Sequence, residues 1–285
     1  MQFVKCQGLG NDFIIIESNQ VAEGLESKTA VQLCDRRFGV GADGLLLCEA
    51  LSGRSASFRM RVFNADGGEA ELSGNGLRCL GAYLVHAHRH HGADLRVETL
   101  AGVKVLNLVD AAPPEYRFVV SMGSPVLDRE RIAFQAEFSL DSLVGVPLRA
   151  GGRVWPVTIT SMGNPHCSLF VEDLESLNWQ EIGREIETMT CFPNRTNVEF
   201  IRVRDRRAID VRFWERGAGM TYASGTGSCA AAVASALNHY TDRDVVVDTL
   251  GGRLRVVWRD DDTLSLEGPA RVVFQGQADV FEKGP

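Results

Sequence analysis

Two serines, Ser73 and Ser224, each stand immediately before a Gly-x-Gly, in Ser73-Gly-Asn-Gly76 and Ser224-Gly-Thr-Gly227. Around the second, an apolar run from Val211 to Trp214 ends in Glu215-Arg216. A turn on Gly217 and Gly219 follows, and small apolar residues run from Ala230 to Leu237. That order predicts strand, charged loop, helix N-terminus and buried helix. Glycines at a helix start let a ligand approach bare N–H groups at the positive end of the helix dipole, which suits a carboxylate. Two such N-termini facing one cleft would hold an acid group by Gly74-Asn75 on one side and Gly225-Thr226 on the other. The serine hydroxyls would then flank the neighbouring carbon. One could remove its proton and the other return it from the far face, the geometry of two-base racemisation.

The elements that must position these serines occur twice. Arg61 to Gly76 aligns without a gap on Arg212 to Gly227, matching Gly68 with Gly219 and Ser73 with Ser224. Val97-Glu-Thr-Leu-Ala-Gly102 echoes Val247-Asp-Thr-Leu-Gly-Gly252, and Gly10-Asn11 echoes Gly163-Asn164. Three landmarks in one order predict a duplicated half-chain. We expect one half over 1–116, joined by a returning strand within 271–285, and the other over 117–270. The pocket is expected between the halves, where pockets favour domain interfaces.

The secondary structure follows period and punctuation. Gln2–Cys6, Phe13–Ile16 and Leu45–Cys48 read as strands, and Lys28–Cys34 and Leu177–Thr188 as helices. Asp110-Ala-Ala-Pro-Pro-Glu115 is the best linker candidate. Leu264–Glu267 and Arg271–Gln275 read as separate closing strands. The helix after Ser73 is amphipathic through Leu77, Leu80, Tyr83, Leu84 and Ala87, and is expected to end at Gly92 after four histidines. Those histidines read as a solvated helix end rather than a metal site, because no carboxylate or cysteine completes a ligand set.

Composition excludes several classes of function. The 285 residues carry a net charge of −7, which points to neither nucleic acid nor an anionic membrane. No apolar run approaches the roughly 20 residues of a membrane span, and the N-terminus lacks the apolar core of a signal peptide. Seven widely spaced cysteines with no C-x-x-C predict a reduced, cytoplasmic protein with buried thiols.

The chain resembles the diaminopimelate epimerase family over nearly its whole length. The resemblance is carried by Gly8–Phe13, Asp35–Gly44, Asn64–Gly67, Gly74–Gly76, Gly163–His166, Arg195–Asn197, Glu215–Gly217 and Gly225–Gly227. It implies an α+β fold of two pseudo-symmetric domains, each a curved, barrel-like sheet around a central helix. It also implies cofactor-independent, metal-free epimerisation of a small amino acid in lysine and peptidoglycan synthesis, and often a homodimer. By the same resemblance Asn11, Asn64, Asn164 and Asn197 bind substrate, and Arg216 holds a distal carboxylate. His166 and Glu215 serve as proton acceptors beside the two catalytic positions.

The family has a catalytic cysteine at each of those positions, and here both are serine, Ser73 and Ser224. A free thiol ionises near pH 8.5, whereas a serine hydroxyl needs an adjacent base. Cys79 and Cys229, inside the helices, read as core thiols. Three readings follow: an epimerase, a single-base isomerase or dehydratase on the same fold, and a silent amino-acid binder.

Overall fold

The computed structural model describes residues 1–52, 56–92, 94–135 and 142–279. The chain divides into two units, Met1–Val120 with Glu267–Pro285, and Ser121–Leu266; the last residues of the returning segment, 280–285, lie outside the described ones. In chain order the elements are β1 (Gln2–Gly8), β2 (Asn11–Glu17), α1 (Glu26–Cys34), β3 (Gly44–Ala50), β4 (Phe58–Asn64), β5 (Glu69–Ala70), α2 (Gly74–His86), β6 (Asp94–Thr99), β7 (Gly102–Ala112) and β8 (Glu115–Gly123). They continue with β9 (Val146–Ala150), β10 (Arg153–Ser161), β11 (Pro165–Phe170), α3 (Trp179–Glu187), β12 (Asn197–Asp205), β13 (Ala208–Glu215), β14 (Gly219–Thr221), α4 (Gly225–Leu237), β15 (Asp244–Thr249), β16 (Gly252–Trp258) and β17 (Leu264–Gln277).

In the first unit, β1 pairs with β2, β2 lies parallel to β3, and β3 pairs with β4. Then β4 lies parallel to β6, β6 pairs with β7 and β7 with β8. The returning β17 pairs with both β1 and β8 and closes eight strands into a barrel. Inside it runs α2, packed against β1, β2 and β7. Leu77, Leu80 and Leu84 are fully buried there, each worth about 1.5–3 kcal/mol of apolar burial. On the outer face, Ile14, Ile16, Leu45 and Leu47 alternate out to meet Ala30, Leu33 and Cys34 of α1. Both faces of β2 and β3 are therefore covered, which is why they read as continuous apolar runs rather than alternating ones.

The second unit repeats this course. β11 lies parallel to β12, β12 pairs with β13, β13 lies parallel to β15 and β15 pairs with β16. The registers match residue for residue: Phe13 faces Gly44 as His166 faces Asn197, and Leu45 faces Phe63 as Val198 faces Trp214. The central helices are equal in length. Each is followed by a histidine in the left-handed region, His88 (φ 53°) and His239 (φ 60°).

Three details differ from the sequence reading. The proline segment 110–115 is the hairpin turn between β7 and β8, paired up to Ala112 with Glu115, and the unit boundary falls after Val120. Prolines suit a turn because no ladder N–H is needed there. Gly268-Pro269 does not split the last strand, since β17 runs unbroken over fourteen residues; proline loses only its donor, and the Pro269 carbonyl accepts Arg78 Nε at 3.2 Å. Finally, α2 stops at His86 rather than at Gly92. The N–H groups of Ala87, His88 and Arg89 close the last turn on Tyr83, Val85 and Leu84, and His88 supplies the left-handed residue.

Candidate active site

Each serine caps its helix. The Ser73 hydroxyl accepts the Gly76 N–H at 3.0 Å, and the Ser224 hydroxyl accepts the Gly227 N–H at 3.2 Å. Their backbones are alike, φ/ψ −130°/118° and −128°/129°, the extended conformation an N-cap requires. Ser224 is buried and Ser73 half-buried. A Cβ added at Gly76 or Gly227 would approach the Cβ of the capping serine, at 3.1 Å and 3.0 Å.

Around Ser73 the first unit builds an amide chain. Asn75 Nδ2 donates to Asn11 Oδ1 at 3.2 Å, and Asn11 Nδ2 donates to Asp43 Oδ2 at 2.8 Å. Below it the wholly buried Arg78 guanidinium donates to Asn75 Oδ1 at 2.6 Å. Asp12 anchors the far end, bridged by Lys5 at 2.8 Å and Arg36 at 2.7 Å. Burial alone would raise the Asp12 pKa, but Arg36 and Lys5 hold it down to about 2. Asn64 is exposed at the end of β4. Asn11 and Asn164 do not take the left-handed turn positions; Leu9, Gly10 and Gly163 do. The two amides are therefore not there for backbone tolerance.

The second unit puts carboxylates and an imidazole near its serine. Glu215, at the end of β13, accepts the Thr221 hydroxyl at 2.6 Å. Burial raises the Glu215 pKa above the usual carboxylate range, partly offset by hydrogen bonding from Thr221, the charge of His166 and the nearby Ser224 hydroxyl. His166 is fully buried, with Nδ1 2.6 Å from Glu199 Oε1 and Nε2 3.0 Å from Asn164 Oδ1. Glu215 and Arg216 do not pair with each other. The Arg216 side chain is exposed and donates to the Asn194 carbonyl at 3.0 Å. Asn197 is committed to the fold: its Nδ2 donates to the Pro165 carbonyl at 2.9 Å and its Oδ1 accepts the Arg216 N–H at 3.0 Å.

The structure thus gathers Asn11, Ser73, Gly74 and Asn75 in one unit, and Asn164, His166, Asn197, Glu215, Arg216, Ser224, Gly225 and Thr226 in the other. The sequence reading missed four supporting residues. Glu199 holds His166, and Arg78 holds Asn75. Glu187 accepts the Gly217 N–H at 2.9 Å and Trp214 Nε1 at 2.7 Å, fixing the loop after Glu215. Asp43 anchors Asn11. Glu199 carried a legible signal, since it is a charged residue set among apolar ones in Val198-Glu-Phe-Ile201. The Cys79 thiol is pushed well up by complete burial, and Cys229 is fully buried in α4. Among the described residues no group of three or more His, Cys, Asp or Glu is arranged to hold a metal, and no helix is long and apolar enough to cross a membrane.

The family model of diaminopimelate epimerase matches residues 3–127 and 158–273. A diaminopimelate epimerase of Pelotomaculum thermopropionicum is 45% identical over 97% of this chain and 98% of its own. One from Synechocystis sp. is 43% identical over 98% and 99%. Among solved structures, a phenazine biosynthesis protein of the PhzF family from Bacillus anthracis superposes with a TM-score of 0.72 at 16% identity, covering 98% of this chain and 99% of that one. A hydroxyproline epimerase from Agrobacterium vitis does so with 0.67 at 11% identity, covering 97% and 91%. At such identities the superpositions speak for the fold alone.

Proposed function

The chain belongs to the diaminopimelate epimerase family, an isomerase family, and we propose that it acts on the α-carbon of diaminopimelate or a close analogue with Ser73 and Ser224 as its two proton-carrying groups. Each unit offers a substrate carboxylate the N–H groups of a helix start, Gly74-Asn75 in one and Gly225-Thr226 in the other, where the helix dipole favours an anion. Asn11, Asn64 and Asn164 contact its amino and carboxylate groups, with Asn197 shaping the site, and Arg216 takes the distal carboxylate.

Ser224 removes the α-proton while passing its own to Glu215. The electron pair is drawn into the carboxylate, which the helix N–H groups stabilise. Ser73, the other family position, gives its hydroxyl proton to the carbanion; solvent water then reprotonates the Ser73 oxygen and takes the proton held by Glu215, so the cycle closes. His166 supports this exchange. The observation that carries the reading is Glu215: a half-buried carboxylate whose pKa desolvation raises, beside Ser224, is the base a hydroxyl needs.

One feature favours a second reading, a binder without turnover. Both hydroxyl oxygens already accept a helix N–H, and neither has the acidity of the family's thiol. Incubation with LL- and meso-diaminopimelate in D₂O, followed by NMR at the α-proton, separates the two. Exchange with inversion supports the epimerase; exchange without inversion indicates single-base chemistry; binding with no exchange indicates the binder. Six of the seven cysteines are buried, which suits a reducing compartment, and we assign the protein to the cytoplasm.

A further inference from the structure

The second unit buries a polar triad where the first is apolar. His166, Ser168 and Glu199 are 0%, 0% and 1% exposed. The Glu199 carboxylate accepts from His166 Nδ1 at 2.6 Å and from the Ser168 hydroxyl at 3.2 Å. Parallel register sets His166 opposite Asn197 and Ser168 opposite Glu199, just as it sets Phe13 opposite Gly44 and Ile15 opposite Leu46. The three polar groups therefore occupy the places of Phe13, Ile15 and Leu46, which are buried as well. The neighbouring Cys167, Leu169 and Val198 alternate out to the α3 side, so the triad faces the other way, towards the side of the central helix. One half builds this backbone with no polar side chain at the three positions. The fold does not require them, and burying a carboxylate is costly. A network confined to the half that carries Glu215 belongs with the chemistry.

We propose that Glu199, steadied by Ser168, is a positioning residue that keeps the His166 hydrogen on Nδ1 and so leaves Nε2, beside the Asn164 amide, as the nitrogen able to accept a proton. The proposal rests on the proton-transfer reading of this site. A carboxylate only accepts, so Nδ1 must donate to it. Ser168 occupies the second oxygen and resists rotation of the carboxylate. Nε2 meets the Asn164 side chain at 3.0 Å. An amide turned end for end offers its carbonyl oxygen or its NH₂ at the same place. Asn164 can thus partner Nε2 with or without its hydrogen, and the buried ring gains or loses a proton without an orphaned nitrogen.

The test uses the full chain labelled with ¹⁵N in histidine, with the His166 signals assigned by their loss in His166→Asn. The native ring is expected to show a hydrogen-bearing Nδ1 throughout the neutral range, with only the Nε2 signal moving when diaminopimelate is added. Glu199→Gln, which offers a donor as well as an acceptor, should mix the two tautomers. It should lower kcat for α-proton exchange on the order of 10²-fold or more, with KM little changed. A native Nδ1 without hydrogen overturns the proposal, as does a ring signature unaltered in Glu199→Gln, or a loss confined to KM. The tautomer measurement needs no turnover, so failure of the epimerase reading would leave it standing.

Discussion

The two helix N-termini are copies of one another in backbone and opposites in surroundings. Both begin with a capping serine and two glycines, and both lie at the end of a strand and a short hairpin. Around Ser73 the side chains are amides held by a buried cation, Asn11, Asn75 and Arg78. Around Ser224 they are ionisable groups, Glu215, His166 and Glu199. The positions equivalent to Glu215 and Arg78 hold Asn64 and Cys229. Duplication has kept the capping serine and its glycines in each half and varied the side chains around them, with neutral amides in one copy and ionisable groups in the other. A buried Arg78 one turn below the α2 N-terminus adds its charge to the dipole, and α4 has no counterpart there.

The largest change should come from making both copies equal in acidity. Ser73→Cys with Ser224→Cys is expected to raise α-proton exchange on the order of 10²–10⁴-fold, measured in D₂O, because a thiol reaches its anion near neutral pH. A double variant no faster than the native chain would mean that these side chains do not face the reacting carbon. Next comes Glu215→Gln, which gives the second copy an amide as the first has in Asn64. Exchange should fall on the order of 10²-fold. The native rate should drop on acidification at a pH above the ordinary carboxylate range, because the raised pKa protonates the base early. Stability should move the other way. A carboxyl whose folded pKa is raised stabilises the fold below its unfolded pKa, and that stability is lost as pH rises through the folded pKa. Glu215→Gln should therefore match or exceed the native Tm at neutral pH, with the gap closing towards acid.

Arg78→Cys reproduces at α2 what α4 already contains. It removes the donor to Asn75 Oδ1 and the charge under the cradle. It should cost about 2–5 kcal/mol in urea unfolding, because buried acceptors lose their donor and a large buried side chain leaves a cavity. It should also weaken binding of a carboxylate substrate by calorimetry, more than it slows exchange at saturation. A loss of stability with unchanged affinity would assign Arg78 to the fold alone. In the second unit, Glu187→Gln tests the loop that carries Arg216. Burial would raise the Glu187 pKa, but Trp214, the Gly217 N–H and Arg195 hold it below the usual value. Its stabilisation is present above the unfolded carboxylate pKa and is lost as pH falls through the lower folded one. The variant should lose about 1–3 kcal/mol at neutral pH and little in strong acid.

The duplication was legible because glycines and capping serines are fixed by backbone geometry, and backbone geometry is what the copies share. Three aligned landmarks located both helices, and the strand registers agree with the alignment over the whole β2–β3 and β11–β12 pairs. What stayed hidden depends on which side chains meet across strands far apart in sequence. Glu199 and His166 are 33 residues apart and touch only because β11 and β12 are parallel. Arg78 finds Pro269 across 191 residues, through a strand whose proline reads as a break. The 110–115 segment misled for a local reason: two prolines punctuate a hairpin as readily as a linker, and only the ladder around them tells which.

The finest contrast between the copies lies in the last glycine of each cradle. A Cβ on Gly76 would meet Leu46 Cδ2 at 3.2 Å and the Ser73 side chain at 3.1 Å. A leucine methyl can move a few tenths of an ångström, and alanine is the better helix former by up to about 1 kcal/mol, so Gly76→Ala should be close to neutral in urea unfolding. A Cβ on Gly227 would meet two ring carbons of Phe213 at 2.9 Å, with Ser224 Cβ at 3.0 Å behind it. The ring is fully buried in β13 and cannot turn aside, so Gly227→Ala should cost about 1–3 kcal/mol of overpacking. It should also displace Ser224 from Glu215, slowing exchange more than Gly76→Ala does. Equal costs at the two glycines would mean that the tighter packing around Ser224 plays no part in holding it against its base.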